Sequence, residues 1–164
     1  MAKTHPFQYI LLIGRAGVVG LNETLQSVAN YLFHKKRQVF VEANTAALFD
    51  CEKYTIIDAE NIPHKCELMI VVGGDGSLLN AAHIALPYGL PILGINRGRL
   101  GFLTDIHPNH LDRIGEVIEG QYEMETRFLL EAKQLNEQEE LLDIALNDVV
   151  LLPGDIAHMI EFEI

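Results

Sequence analysis

Gly73-Gly74-Asp75-Gly76-Ser77 brings bare backbone, a carboxylate and a hydroxyl together in five consecutive residues. Glycines let the chain take positive φ and approach a ligand without interference from a Cβ. The apolar run Leu68-Met69-Ile70-Val71-Val72 precedes the segment, and a helical pattern over residues 77–86 follows it. The N–H groups that open such a helix face the same place and favour phosphate. Asp75 could accept a proton from an attacking hydroxyl, or hold a Mg²⁺ ion that bridges phosphate oxygens. Ser77 could cap the helix or touch a phosphate. A lone Gly-Asp-Gly would be an ordinary strand-to-helix turn; the full run between a buried strand and a helix points to phosphate binding or catalysis.

A second set lies at Gly94-Ile95-Asn96-Arg97-Gly98-Arg99-Leu100-Gly101-Phe102-Leu103. Gly98 and Gly101 free the backbone just past a strand end, Phe102 offers a flat apolar surface for a base, and Arg97 and Arg99 bring positive charge beside the Asp75 loop. Taken alone, this stretch reads equally well as a solvated loop around a core Phe. Asn147-Asp148 alone reads as a turn or a polar strand position. His107-Pro108-Asn109-His110 is a helix start with exposed imidazoles sooner than a metal pair. No G-x-x-x-x-G-K-[ST] loop, H-E-x-x-H or zinc-type cysteine cluster is present. Gly14, Gly17 and Gly20 are spaced by threes, which fails the dinucleotide fingerprint G-x-G-x-x-G.

The elements that must position these residues alternate in type. Residues 9–13 form a short apolar run ending at Gly14; Leu21, Leu25, Val28 and Leu32 then recur at helical spacing, and the helix runs out in His34-Lys35-Lys36-Arg37. Basic residues there suit the negative end of the helix dipole. Val39-Phe40-Val41 is a second strand, and residues 43–62 hold a short helix and a weak strand at 54–57. Residues 91–95 make another strand. Pro108 stands at a first helical position, with Leu111, Ile114, Val117 and Ile118 as an apolar face and Gly120 as the end. Strands and helices in this order predict an α/β domain over residues 1–120: a Rossmann-like open parallel sheet with helices on both faces. Beyond Gly120, residues 124–135, 141–152 and 158–164 are all strand-like, with a polar hairpin connection over 134–140. Residues 121–164 are therefore expected to be the first strands of a second, β-rich domain. The last run stops inside a strand-like segment, so the chain is expected to be a portion of a longer protein.

Composition narrows the partners. A 164-residue chain with 49% hydrophobic residues can bury a core. No apolar run reaches the roughly 18 to 20 residues that span a bilayer, and the N-terminal apolar stretch lacks a small-residue cleavage site. A net charge of -11 argues against non-specific nucleic-acid or anionic-membrane binding. An anionic small molecule remains compatible, given local N–H groups, arginines or a metal ion. Cys51 and Cys66 show no disulfide or metal spacing, which suits free thiols in the cytoplasm.

GGDG is shared by several kinase families, including phosphofructokinases and lipid kinases. The segment over residues 94–103 resembles the NAD kinase signature G-x-N-x-G-x-L-G-F-L. Asn147-Asp148 resembles that family's Asn-Glu/Asp pair, and the tract over residues 153–163 is similar to bacterial members. The resemblance runs from about residue 7 to the end. It implies transfer of the ATP γ-phosphoryl group to the 2′-hydroxyl of the adenosine ribose of NAD, with Mg²⁺ accompanying ATP. It further implies that Asp75 is the catalytic carboxylate and that Asp75 and Gly76 contact NAD. Leu79 and Phe102 would wall the adenosine pocket with Leu103 nearby, Asn147 and Asp148 would bind the dinucleotide, and His158 would approach it. Gly73, Gly74 and Ser77 complete the phosphate loop. A full-length member is expected to be a homo-oligomer. The competing expectations are a non-catalytic nucleotide-binding module and a GGDG-type kinase acting on a sugar phosphate or lipid.

Overall fold

The computed structural model describes residues 5–97, 103, 104, 106–134 and 140–150. It divides into two compact units, Met1–Glu125 and Thr126–Ile164.

The first unit is an α/β fold. Strand β1 (Tyr9–Gly14) leads into helix α1 (Leu21–His34), then β2 (Gln38–Glu42), the single-turn α2 (Ala43–Ala46) and β3 (Thr55–Ile57). Strand β4 (Leu68–Gly73) feeds α3 (Asp75–Ala85), followed by β5 (Ile92–Asn96) and α4 (Leu111–Ile118). The five strands are all parallel in the order β3-β2-β1-β4-β5. β1 and β4 are buried almost throughout, as near-continuous apolar runs in a doubly covered parallel sheet must be.

The pleat sorts the core into two layers. Ile10, Leu12, Val41, Ile70 and Val72 face α1 (Leu25, Val28, Leu32) and α4 (Ile114, Ile118). Leu11, Ile13, Phe40, Met69 and Val71 face α3 through Ala81 and Ala85. Alternate residues of one strand therefore serve opposite layers. From β1 the chain winds toward β3, and from β4 it winds toward β5, with α1 and α3 on opposite faces. The order reverses between β1 and β4, and such a switch point opens a crevice at the carboxyl ends of the strands.

The opposite, N-terminal edge of the sheet is tied by long-range contacts. Phe7 N donates to Ile118 O at 3.0 Å, and Arg37 Nη2 reaches the same carbonyl at 3.4 Å. Arg37 also pairs with Glu119 at 3.0 Å and donates to Gln8 Oε1. The Phe7 and Tyr122 rings stack at 5.0 Å.

Several boundaries differ from expectation. Helix α3 starts at Asp75, so Asp75 and Gly76 lie in its first turn and Gly74 is the N-cap. Pro108 sits in a turn ahead of α4, whose N-cap is His110; the bond from His110 N to His107 O closes that turn before the helix begins. In the second unit, strands β6 (Leu130–Gln134) and β7 (Glu140–Ala145) pair antiparallel. Residues 124–129 and 146–150 carry no strand, although their composition is strand-like. Large exposed side chains at Met124, Phe128, Val149 and Val150 explain the mismatch, because strand periodicity needs a packed face to enforce it.

Candidate active site

The crevice lies at the carboxyl ends of β1, β4 and β5. Asp75 is half-buried at the N-terminal end of α3, directly after β4. Its Oδ1 accepts a hydrogen bond from Leu103 N at 3.2 Å, so the segment beyond β5 anchors the carboxylate. Arg97 N donates to Gly73 O at 2.9 Å, carrying the β4–β5 ladder one rung further, into the glycine run.

The glycines act by leaving room, not by adopting unusual backbone. Among the described glycines, positive φ occurs at Gly17, Gly20, Gly89 and Gly120 but not at Gly73, Gly74 or Gly76. A Cβ on Gly73 would stand 2.3 Å from Ser77 Oγ. Ser77 folds back over Gly73. A Cβ on Gly74 or Gly76 would meet nothing within 4 Å, which leaves open space beside Asp75. The loop thus presents helix N–H groups, one held carboxylate and an uncrowded backbone, the arrangement that suits a phosphate next to a reacting hydroxyl.

Of the residues singled out in the sequence, the structure brings together Gly73, Gly74, Asp75, Gly76, Ser77, Leu79 and Leu103. Leu79 is half-buried on α3. Phe102 and His158, like Gly98, Arg99 and Gly101, lie outside the described residues. Asn147 and Asp148 belong to the second unit, exposed just past β7, with Asn147 Nδ2 donating to Asp148 Oδ1 at 2.9 Å. Arg97 departs from expectation: its guanidinium turns toward the start of α1, where Nε donates to Gly20 O at 2.9 Å.

Sequence reasoning missed Glu42. An acid at the end of β2 is where dinucleotide-binding Rossmann folds hold a ribose. Here the carboxylate is buried and committed to the protein itself. It accepts from Asn44 N, Asn44 Nδ2, Thr45 N and Thr45 Oγ1 at 2.7 to 2.9 Å. Burial pushes the Glu42 pKa up, but these four hydrogen bonds outweigh it and hold the carboxyl below its ordinary value of 4.5. The glycine spacing after β1 is also wrong for pyrophosphate, so β1 and β2 do not carry the dinucleotide-binding pattern. The sequence signal was a Glu followed by Ala-Asn-Thr at a strand end, a helix-capping arrangement.

Fold and site together define an open, doubly wound α/β protein with a glycine–aspartate loop at its switch point. Residues 10–122 match the family model for the ATP-NAD kinase N-terminal domain. The NAD kinase of Coxiella burnetii (strain Dugway 5J108-111) is 52% identical over 160 residues, covering 96% of this chain and 53% of that protein. The NAD kinase of Chromohalobacter salexigens is 45% identical over 161 residues, covering 97% of this chain and 55% of that protein. Yeast NADH kinase, solved in complex with NADH, matches the fold with a TM-score of 0.69 at 18% identity, over 87% of this chain and 45% of that one. This chain belongs to the NAD kinase family. It spans about half the length of the curated relatives it matches. These matches do not favour a sugar-phosphate or lipid kinase, nor a non-catalytic module.

Proposed function

We propose that the protein phosphorylates NAD, moving the γ-phosphoryl group of ATP to the 2′-hydroxyl of the adenosine ribose to give NADP and ADP. One observation carries the reading: Asp75, the first residue of α3, is held by Leu103 N beside glycines whose faces stay open. The ribose oxygen attacks Pγ as the bond from Pγ to the β,γ-bridging oxygen breaks. ADP leaves with that electron pair, and the hydroxyl proton passes to the Asp75 carboxylate. The first-turn N–H groups of α3 stabilise phosphate charge.

Gly76 and Asp75 contact NAD in this proposal, Leu79, Phe102 and Leu103 wall its adenosine, and Asn147, Asp148 and His158 complete the dinucleotide site. Among the described residues no cluster of three or more His, Cys, Asp or Glu could cage a metal ion. That fits a Mg²⁺ ion held mainly by nucleotide phosphates and water. Bound with ATP, that ion would neutralise charge on the transferring group. We read residues 121–164 as the opening of a β-rich substrate domain, the full-length protein as a homo-oligomer, and its setting as the cytoplasm. Two free, buried thiols support the last point.

Full-length Asp75→Asn should lose NAD phosphorylation by about 10² to 10⁴-fold while NAD still binds in calorimetry. Wild-type turnover by that variant would remove Asp75 as the base. Wild-type protein that ignored NAD and phosphorylated a sugar phosphate or lipid would remove the proposed reaction.

A further inference from the structure

Arg97 is the first residue after β5, yet its side chain reaches the beginning of α1. In the order β3-β2-β1-β4-β5 these elements are not neighbours, so the side chain must pass over the end of β4. Its backbone N–H holds Gly73 O at 2.9 Å. Its Nε–H holds Gly20 O at 2.9 Å. The same Gly20 carbonyl accepts from Thr24 N at 3.3 Å and Thr24 Oγ1 at 3.0 Å, so the arginine grips a point already fixed within α1. Gly20 is the N-cap of α1, with φ 72°. A Cβ there would fall 1.5 Å from Arg97 Nη2 and 2.5 Å from Cζ. The other end of the β1 loop is secured separately, since Thr45 Oγ1 accepts from Gly14 N at 3.0 Å.

We propose that Arg97 is a positioning residue for the glycine–aspartate loop, fastening the loop after β1 to the loop after β4 across the switch-point crevice. This rests on the phosphoryl-transfer reading of that crevice. One residue holds both walls, so the α1 start and the Asp75 turn keep a fixed spacing while nucleotide is bound. Glycine suits position 20 because the guanidinium occupies the place of a Cβ, as well as because of the backbone conformation. Misplacing a reacting group by about 1 Å can cost 10²-fold in rate, so a lost fastening shows in turnover before it shows in binding.

The test uses full-length protein with ATP and NAD. Arg97→Ala and Gly20→Ala should each lower kcat by about 10-fold or more while KM for NAD moves less than about 3-fold. The double variant should be no worse than the worse single one, because both break one contact. Gly89→Ala is the control: it also has positive φ (60°), a Cβ there meets nothing within 4 Å, and it lies between α3 and β5, away from the crevice. It should strain the loop and leave kcat near wild type. Guanidinium ion added to Arg97→Ala should recover part of the rate. A wild-type kcat in Arg97→Ala, multiplicative losses in the double variant, or an equal loss in Gly89→Ala would each overturn the proposal. Amide hydrogen exchange tests the fastening without any reaction, and so separates its failure from failure of the NAD kinase activity. Arg97→Ala should speed exchange over residues 15–21 and 74–77 together, and loosening of one loop alone rejects the idea. If Arg97→Ala does not fold, Arg97→Lys supplies the same readouts with the packing retained.

Discussion

The Thr45 hydroxyl lies 2.9 Å from Glu42 Oε2 and 3.1 Å from Gly14 O, and it accepts from Gly14 N at 3.0 Å. The end of β2, the turn of α2 and the end of β1 are therefore one buried polar knot. It stands directly under the loop that Arg97 grips at its far end.

Glu42 should set the acid limit of the α/β unit. Its folded pKa is lowered by the net effect of its hydrogen bonds, so its contribution is fully present above its unfolded pKa, near 4.5, and is lost as pH falls through the folded value. Glu42→Gln should flatten the dependence of the denaturation midpoint on pH below about 4.5. Glu42→Ala, which leaves the Asn44 and Thr45 amides without an acceptor, should cost about 2 kcal/mol at neutral pH. Urea titrations across pH check both.

The glycine run should separate stability from activity. Gly76→Ala sits in the first turn of α3 with open space around its Cβ, so stability should hold or rise by up to about 1 kcal/mol, while NAD phosphorylation in full-length protein drops. Gly73→Ala must displace Ser77 and should lose about 1 to 3 kcal/mol. Thermal melts paired with turnover distinguish the two; a fully active Gly76→Ala would mean that no ligand uses that space.

The thiols should be inert in the folded protein. Burial dominates at Cys66 and pushes its pKa from 9.0 to about 11; Lys65 lowers and Glu67 raises it by smaller amounts. Burial also raises Cys51. A raised folded value contributes stability that is present below pH 9.0 and lost as pH climbs toward about 11. Disulfide-reagent labelling at pH 8 should follow unfolding, and Cys66→Ser should not alter NAD phosphorylation. Fast labelling of native protein contradicts this.

How far the sequence was legible depended on range. The strands with continuous apolar runs, β1, β4 and β5, are visible because burial on both faces leaves no polar alternation to confuse the period. The Gly-Asp run is legible because its chemistry is contiguous. Position within the helix was not: Asp75 and Gly76 read as loop residues, since weak helix formers at a first turn look the same as turn residues. The contact between Arg97 and Gly20 spans 77 positions, and no local pattern marks it. Glu42 was missed because a carboxylate consumed by its own neighbours carries no periodicity. The reverse error fell on residues 146–150, which carry no strand and leave Val149 and Val150 exposed.

The edge of the sheet far from the crevice has a kinetic consequence. Arg37 and Ile118 are 81 residues apart in sequence, and Phe7 closes onto the same carbonyl from the first strand's approach. Loops this long are slow to close, so these contacts are expected to form after the central strands have paired, and their loss should mainly speed unfolding. Strengthening that rim should therefore lengthen the life of the folded α/β unit without touching the crevice at the opposite edge of the sheet.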